Sequence, residues 1–349
     1  MALLATVAVL AAVILPNMGV QPTAPPAIAG GFLQTQNGNI TDGASNRAFQ
    51  NFYFNTDDIR VALAQTWGKL AQLYKDEPMV AGFDLLNEPG FGETAPATTS
   101  HLLAKFYAEA TRKIRAAGAK QIIFFEPSIF WSGLGVDTGP TPGFTQDTNI
   151  VFSPHLYGEA ITMDSDWPIP PLVGLERQFM LAERVAEQDG DVPVWPGEYG
   201  KWGEDQDVID WVNRYAVAED DHLIGSAYWV WKQACGDPQN GIGPVGDALI
   251  MQNCAGPSEI PPKTDILNVL SRAYPQSAPG TLTSLTSSGS TFKMTGTTDT
   301  PGCGLTVWVP SSAELDLKSS GITDLDPQSV SGGWLVTGCA DGEYSLSNG

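Results

Sequence analysis

The sequence is poor in positive charge, in histidine and in cysteine. Lysine and arginine number 18 against 39 aspartates and glutamates, a formal net charge of −21 over 349 residues. Such a field repels nucleic acid and anionic surfaces, which excludes nucleic acid as a partner. With three histidines and four cysteines, none in CxxC spacing, no metal site is expected. No glycine-rich loop follows a first strand, which argues against a dinucleotide-binding sheet. The apolar run from Ala2 to Leu15 is too short to span a bilayer. No basic residue precedes Arg47, so the run lacks the positive flank of a signal peptide, although Ala27-Ile28-Ala29 resembles a cleavage site. Residues 1–30 are therefore read either as signal-like or as a remnant of a barrel.

The cysteines that are present fall into two local pairs, Cys235 with Cys254 and Cys303 with Cys339. Two disulfides are the simplest reading, with four buried thiols as the alternative. Disulfides imply an oxidising compartment, hence a secreted protein.

Five short apolar segments share one pattern: Val80–Asn87, Gln121–Pro127, Ile150–Tyr157, Val192–Gly200 and Leu223–Lys232. Near-continuous apolar runs suit strands buried on both faces of a parallel sheet. Helical patterns alternate with them. Asp57 to Tyr74 puts Ile59, Leu63, Trp67, Leu70 and Leu73 on one face, with Thr56 as the expected N-cap. Ser100 to Ala117, Gly174 to Gln188 and Asp205 to Asp220 repeat the pattern. This alternation predicts an α/β fold, a (β/α)8 barrel with its polar residues at the strand C-terminal ends. Beyond Tyr274-Pro275 the chain turns rich in Thr, Ser and Gly, with alternating stretches at Leu305–Val309 and Gly333–Gly338. The reading is a barrel domain over 31–275 and a small β-sandwich over 281–349.

Two strand ends carry carboxylates suited to chemistry. Asn87-Glu88-Pro89 directly follows the apolar Phe83-Asp84-Leu85-Leu86. Delivering Asn and Glu to the end of a buried strand is costly unless both side chains are used. A general acid must hold its proton near neutral pH, and apolar surroundings favour that. Glu88 is the candidate acid/base, and Asn87 could hydrogen-bond a sugar hydroxyl. Glu198, in Trp195-Pro196-Gly197-Glu198-Tyr199-Gly200, offers the second carboxylate as nucleophile. His155 and Tyr157 end the strand between, with Tyr157 expected to donate to Glu198. Of the pair Trp229 and Trp231, Trp229 is the candidate floor of a sugar subsite, with core packing as the alternative role. Glu126 also ends a strand and is read as a supporting residue. Two carboxylates supply acid, base and nucleophile, so no cofactor is expected.

At these residues the sequence resembles glycoside hydrolase family 5, over about residues 45 to 275. Asn87-Glu88-Pro89, His155-x-Tyr157, Glu198 in Glu-Tyr-Gly and Trp229 stand in the family order. It looks most like the endoglycoceramidase-like branch, through Gly82-Phe83-Asp84-Leu85-Leu86-Asn87-Glu88-Pro89, Phe125-Glu126-Pro127-Ser128, Ser153-Pro154-His155-Leu156-Tyr157 and Arg272-Ala273-Tyr274-Pro275. The resemblance implies a retaining β-glycosidase that releases a glycan from a lipid aglycone, working as a monomer with transient contact to a lipid surface. An endo-β-glucanase or β-mannanase on polysaccharide is the alternative enzyme, and a degenerate, non-catalytic carbohydrate-binding protein the alternative of another class. The family's early arginine and histidine have no counterpart here. Only 79 residues precede Val80, few for three βα units. The barrel is therefore expected to lack its first strands.

Overall fold

The computed structural model describes residues 43–90, 92–134, 139–160, 173–233, 248–252 and 259–349. Residues 1–30 and the pair Cys235 and Cys254 lie outside them. The described residues form two compact units: one takes those up to Tyr199 with Ser226–Trp229, the other takes Gly200–Gly225 and those from Val230 onward.

The first unit is α/β. Helices α1 (Gly43–Tyr53) and α2 (Ile59–Tyr74) precede strand β1 (Gly82–Asp84). Then come α3 (Pro96–Ala116), β2 (Ile122–Phe125), α4 (Phe130–Leu134), β3 (Ile150–Phe152) and α5 (Leu175–Gln188). The strands run parallel in the order β1-β2-β3. Parallel bridges continue the run: Phe152 to Val194, His155 to Glu198, then Tyr199 to Tyr228. All five predicted segments thus neighbour one another in chain order. The described residues form an open run of five parallel segments, not a closed eight-stranded barrel.

Burial explains the apolar strands. Phe83, Ile123, Phe125 and Phe152 are all at or near zero exposure. Helix α3 supplies Leu103, Phe106, Ala110 and Ile114 to the same core, as its periodicity predicts. It ends at a turn with Gly118 at φ 88°, a conformation glycine adopts without strain. Helix α2 corrects two expectations. Ile59, Leu63 and Trp67 are buried, but Leu73 is 76% exposed and Ala71 takes the inner position one turn after Trp67. Thr56 is not the cap. It starts a short 3-10 turn, Thr56–Asp58, and Asn55 in the left-handed region accepts from the Val61 N–H at 3.1 Å. An Asx side chain tolerates that region and can take up an unpaired amide at once.

The second unit holds α6 (Gln206–His222), whose N-cap Asp205 accepts from Val208 N–H at 3.1 Å. A small sheet of β4 (Lys232–Gln233), β5 (Ile250–Gln252) and β6 (Glu259–Ile260) follows, then α7 (Thr264–Leu270). Strands β7 (Tyr274–Ser277), β8 (Thr281–Ser288), β9 (Thr291–Val309), β10 (Leu317–Val330) and β11 (Gly333–Asn348) make one five-stranded antiparallel sheet. The expected two-sheet sandwich is instead a single sheet whose strands β9 and β11 run its whole length. In β9 the buried residues are even-numbered from Phe292 to Thr298 and odd-numbered from Leu305 to Val309. That one-residue change of phase accompanies register shifts opposite Gly338, Ala340 and Gly342, where a bulge bends the strand. Side chains of both halves, Phe292 and Met294 with Leu305, Val307 and Val336, therefore share one core. The predicted Cys303–Cys339 disulfide joins β9 to β11 at the bend.

Candidate active site

Each strand of the first unit ends in or is directly followed by a polar residue, and parallel alignment brings those ends together. Glu88 follows β1 by four residues and has φ 40°, an uncommon conformation for a side chain with a Cβ. Its amide donates to Glu126 Oε2 at 2.7 Å, which holds the turn. Its carboxylate Oε1 meets two donors, Ser132 Oγ at 2.8 Å and His155 Nδ1 at 2.9 Å. Ser132 comes from α4, directly after the strand that ends in Glu126.

Glu198 stands opposite. Its backbone pairs with that of His155, and its carbonyl accepts from Leu156 N–H at 3.0 Å. The expected hydrogen bond is present: Tyr157 Oη donates to Glu198 Oε2 at 2.8 Å. His155 Nδ1 lies 3.3 Å from the same oxygen. Gly197 before it has no room for a side chain, since a Cβ would meet Ser153 Oγ at 2.8 Å and His155 Nε2 at 3.3 Å. The glycine lets the strand carrying Glu198 approach the imidazole.

His155 is the hub. It is 2% exposed, with Nδ1 toward Glu88 and Glu198 and Nε2 3.4 Å from Glu126 Oε1. Burial alone would favour the neutral ring, but the charges of Glu126 and Glu198 and the hydrogen bond to Glu88 hold its pKa well above the usual histidine value. These contacts favour the protonated ring. Burial pushes Glu198 up to about 7; His155 and the Tyr157 hydroxyl oppose the rise, while Glu88 and Glu126 add to it. The nearest donor atoms of Glu88, His155 and Glu198 all lie within 4.8 Å of one another. Two carboxylates and an imidazole are donor types that a cation site uses. Here His155 Nδ1 and the Ser132 and Tyr157 hydroxyls hydrogen-bond the carboxylate oxygens, an arrangement suited to proton chemistry.

Of the other predicted residues, Asn87 is exposed beside Glu88. Trp229 is half-buried on the segment next to that of Glu198, its amide donating to the Tyr199 carbonyl at 2.7 Å, while Trp231 is 57% exposed. The structure thus gathers Glu88, His155, Tyr157 and Glu198 into one hydrogen-bonded cluster and sets Trp229 and Asn87 at its periphery. Two residues belong to the cluster that sequence reasoning did not name. Ser132 carried no signal, since a serine in Ile129-Phe130-Trp131-Ser132 reads as helix filler. Asp84 ends β1, half-buried with its Oδ1 out of solvent, and interacts with Glu126, His155 and Glu198; an acid inside an otherwise apolar strand was a signal that could have found it.

Two carboxylates at this separation, one hydrogen-bonded by serine and imidazole and one by tyrosine, can act on a bond placed between them. A protein-family description, cellulase of glycosyl hydrolase family 5, matches residues 39–235. Endoglycoceramidases of Hydra vulgaris and Cyanea nozakii are 36% and 35% identical over 123 residues, a third of this chain and 24% of each relative. The crystal structure of an endogalactoceramidase matches with a TM-score of 0.73 and 33% identity, covering 87% of this chain and 65% of that one. Endo-glycoceramidase II from Rhodococcus sp. matches with a TM-score of 0.66 at 22% identity, covering 87% of this chain and 68% of that one, a likeness of fold. The chain thus spans under two thirds of the endogalactoceramidase, and its matched stretch about a quarter of the curated relatives.

Proposed function

The chain belongs to glycosyl hydrolase family 5, and from that premise we propose that it is a retaining β-glycosidase that cuts between a glycan and a lipid aglycone. The observation that carries the mechanism is the spacing of Glu88 and Glu198, whose nearest oxygens lie within 4.8 Å. Retaining enzymes hold their carboxyls about 5 to 5.5 Å apart, close enough for one to reach the anomeric carbon directly. In the first step Glu198 bonds to the anomeric carbon as Glu88 gives its proton to the departing oxygen. In the second, Glu88 takes a proton from water, whose oxygen displaces Glu198. Tyr157 and His155 stabilise Glu198 as an anion before attack and as a leaving group afterwards. Asn87 and Trp229 are assigned to the sugar, by hydrogen bonding and by stacking. The likeness to endoglycoceramidases supports the lipid aglycone, and the Cys303–Cys339 disulfide supports a secreted protein.

The test offers the purified protein a ganglioside and a cellulose oligomer in parallel. The expected result is glycan release from the ganglioside, abolished by Glu198→Gln in a protein that remains folded. Cleavage of the cellulose oligomer alone would move the assignment to a polysaccharide hydrolase. Binding without turnover of either would move it to a carbohydrate-binding protein.

A further inference from the structure

Two carboxyls of the cluster have no part in the double displacement. Asp84 and Glu126 lie on adjacent strands, β1 and the end of β2, and Asp84 is in register with Phe124, two residues before Glu126. Glu126 is 1% exposed. Asp84 Oδ1 and Glu126 Oε1 are both buried, and neither has a hydrogen-bond donor among the described residues when both are counted as acceptors. Two buried acceptors against each other are unfavourable unless a proton lies between them. Asp84 interacts with Glu126 through charge and through hydrogen-bonding reach, and a bond between two carboxyls requires that proton.

We propose that Asp84 and Glu126 are a positioning pair: Asp84 carries the proton and donates it to Glu126, and Glu126, as an anion, fixes the Glu88 backbone and the His155 ring. The geometry of Glu126 fits this role on both sides. Oε2 accepts the Glu88 amide at 2.7 Å and so stabilises the strained φ of 40° that aims the Glu88 carboxyl inward. Oε1 faces His155 Nε2 at 3.4 Å, while Nδ1 of the same ring contacts Glu88 and Glu198. Burial, followed by the charge of Glu126, pushes Asp84 well above the usual carboxylate range, which agrees with a carboxylic acid at that position. The titratable groups around the pair are His155 from the third strand, Glu198 from the fourth segment, Glu88 after β1, and Tyr107 from α3. Tyr107 Oη donates to the Glu126 carbonyl at 2.9 Å, and burial raises its pKa well above the usual tyrosine value, so it stays neutral. Tyr53 lies behind Tyr107 and donates to the Gly90 carbonyl.

The kinetic arm of the test rests on the glycosidase reading; the titration arm does not. Glu126→Gln keeps the shape and removes the charge. His155 loses a counter-charge and Glu198 loses a like charge, so both give up their protons at lower pH. His155, one of three histidines, should titrate about one unit lower by NMR. The acidic limb of the pH profile of kcat/KM, set by ionisation of Glu198, should move down with it. Asp84→Asn replaces the acid O–H with an amide N–H donor and should keep kcat within about threefold. Asp84→Val removes the donor and should lower kcat by roughly a hundredfold with KM little changed, the scale expected of a misplaced catalytic group. A residue that only fills space would move no titration. An unmoved His155 in Glu126→Gln overturns the proposal, as does an Asp84→Asn protein as impaired as Asp84→Val. If Asp84→Val does not fold, the Glu126→Gln titration and Asp84→Asn decide. Should the parent protein hydrolyse nothing, the glycosidase reading fails while the NMR titration still judges the pair.

Discussion

Replacing Glu198 with glutamine should stabilise the folded protein while removing its proposed activity. Glu198 is 16% exposed at its side chain and its pKa is raised from 4.5 to about 7, chiefly by burial. A carboxyl with a raised folded pKa favours the folded state while protonated. That contribution is whole below about pH 4.5 and is lost as the pH rises through about 7. The rise of about 2.5 units corresponds to about 3 kcal/mol at 1.36 kcal/mol per unit. Glutamine has the same shape, still accepts from Tyr157 Oη, and carries no charge at any pH. Urea unfolding near pH 8 should therefore show the variant more stable, by up to about 3 kcal/mol, with the difference shrinking toward zero near pH 4.5. The shape of the pH dependence is diagnostic, because a simple packing gain would be equal at both pH values. A variant that is less stable than the parent near pH 8, or a difference that does not change with pH, would refute the reasoning.

Other expectations follow from single contacts. Tyr157→Phe removes the hydroxyl that donates to Glu198 at 2.8 Å. A hydrogen bond to a charged group contributes about 1.5 to 3 kcal/mol, so the acidic limb of kcat/KM should move up by roughly one to two units. Gly197→Ala puts a Cβ 2.8 Å from Ser153 Oγ; thermal unfolding should show a loss of about 1 to 3 kcal/mol, and turnover should fall as the Glu198 strand is pushed from His155. Replacing Cys303 and Cys339 by serine opens a link across 36 residues and should cost about 2 to 4 kcal/mol in urea unfolding. An unchanged midpoint would show that the bent sheet is held by its core alone.

The site was legible in the sequence to the extent that strand ends announce themselves. Glu88, His155, Tyr157 and Glu198 each follow a short apolar run, and parallel pairing must bring such ends together. What joins them was not legible. The contact of Glu126 with the Glu88 amide depends on a backbone turn at φ 40°, which no side-chain pattern encodes. Ser132 reaches Glu88 because α4 starts four residues after Glu126, and its sequence resembles any short helix. The C-terminal sheet shows the same limit. Alternation located Leu305–Val309 and Gly333–Gly338 in strands, but a one-residue phase change inside β9 turned two expected sheets into one. Thr56 failed for a local reason, since the left-handed residues Asn55, Asp57 and Asp58 set the start of α2, and Leu73 lies in the last turn of that helix, where Ala71 faces the core instead.

The cluster holds four acids, Asp84, Glu88, Glu126 and Glu198, around one imidazole, and among the described residues no lysine or arginine pairs with any of them. A ligand's charge is therefore answered by proton exchange with solvent. A neutral sugar changes nothing in that exchange. A cationic sugar mimic seated between Glu88 and Glu198 should favour the ionised carboxyl and expel its proton, so its affinity should climb with pH and level once Glu198 is ionised, above about 7. The heat of such binding depends on which buffer receives the proton, so the site reports its own protonation through any cation it captures.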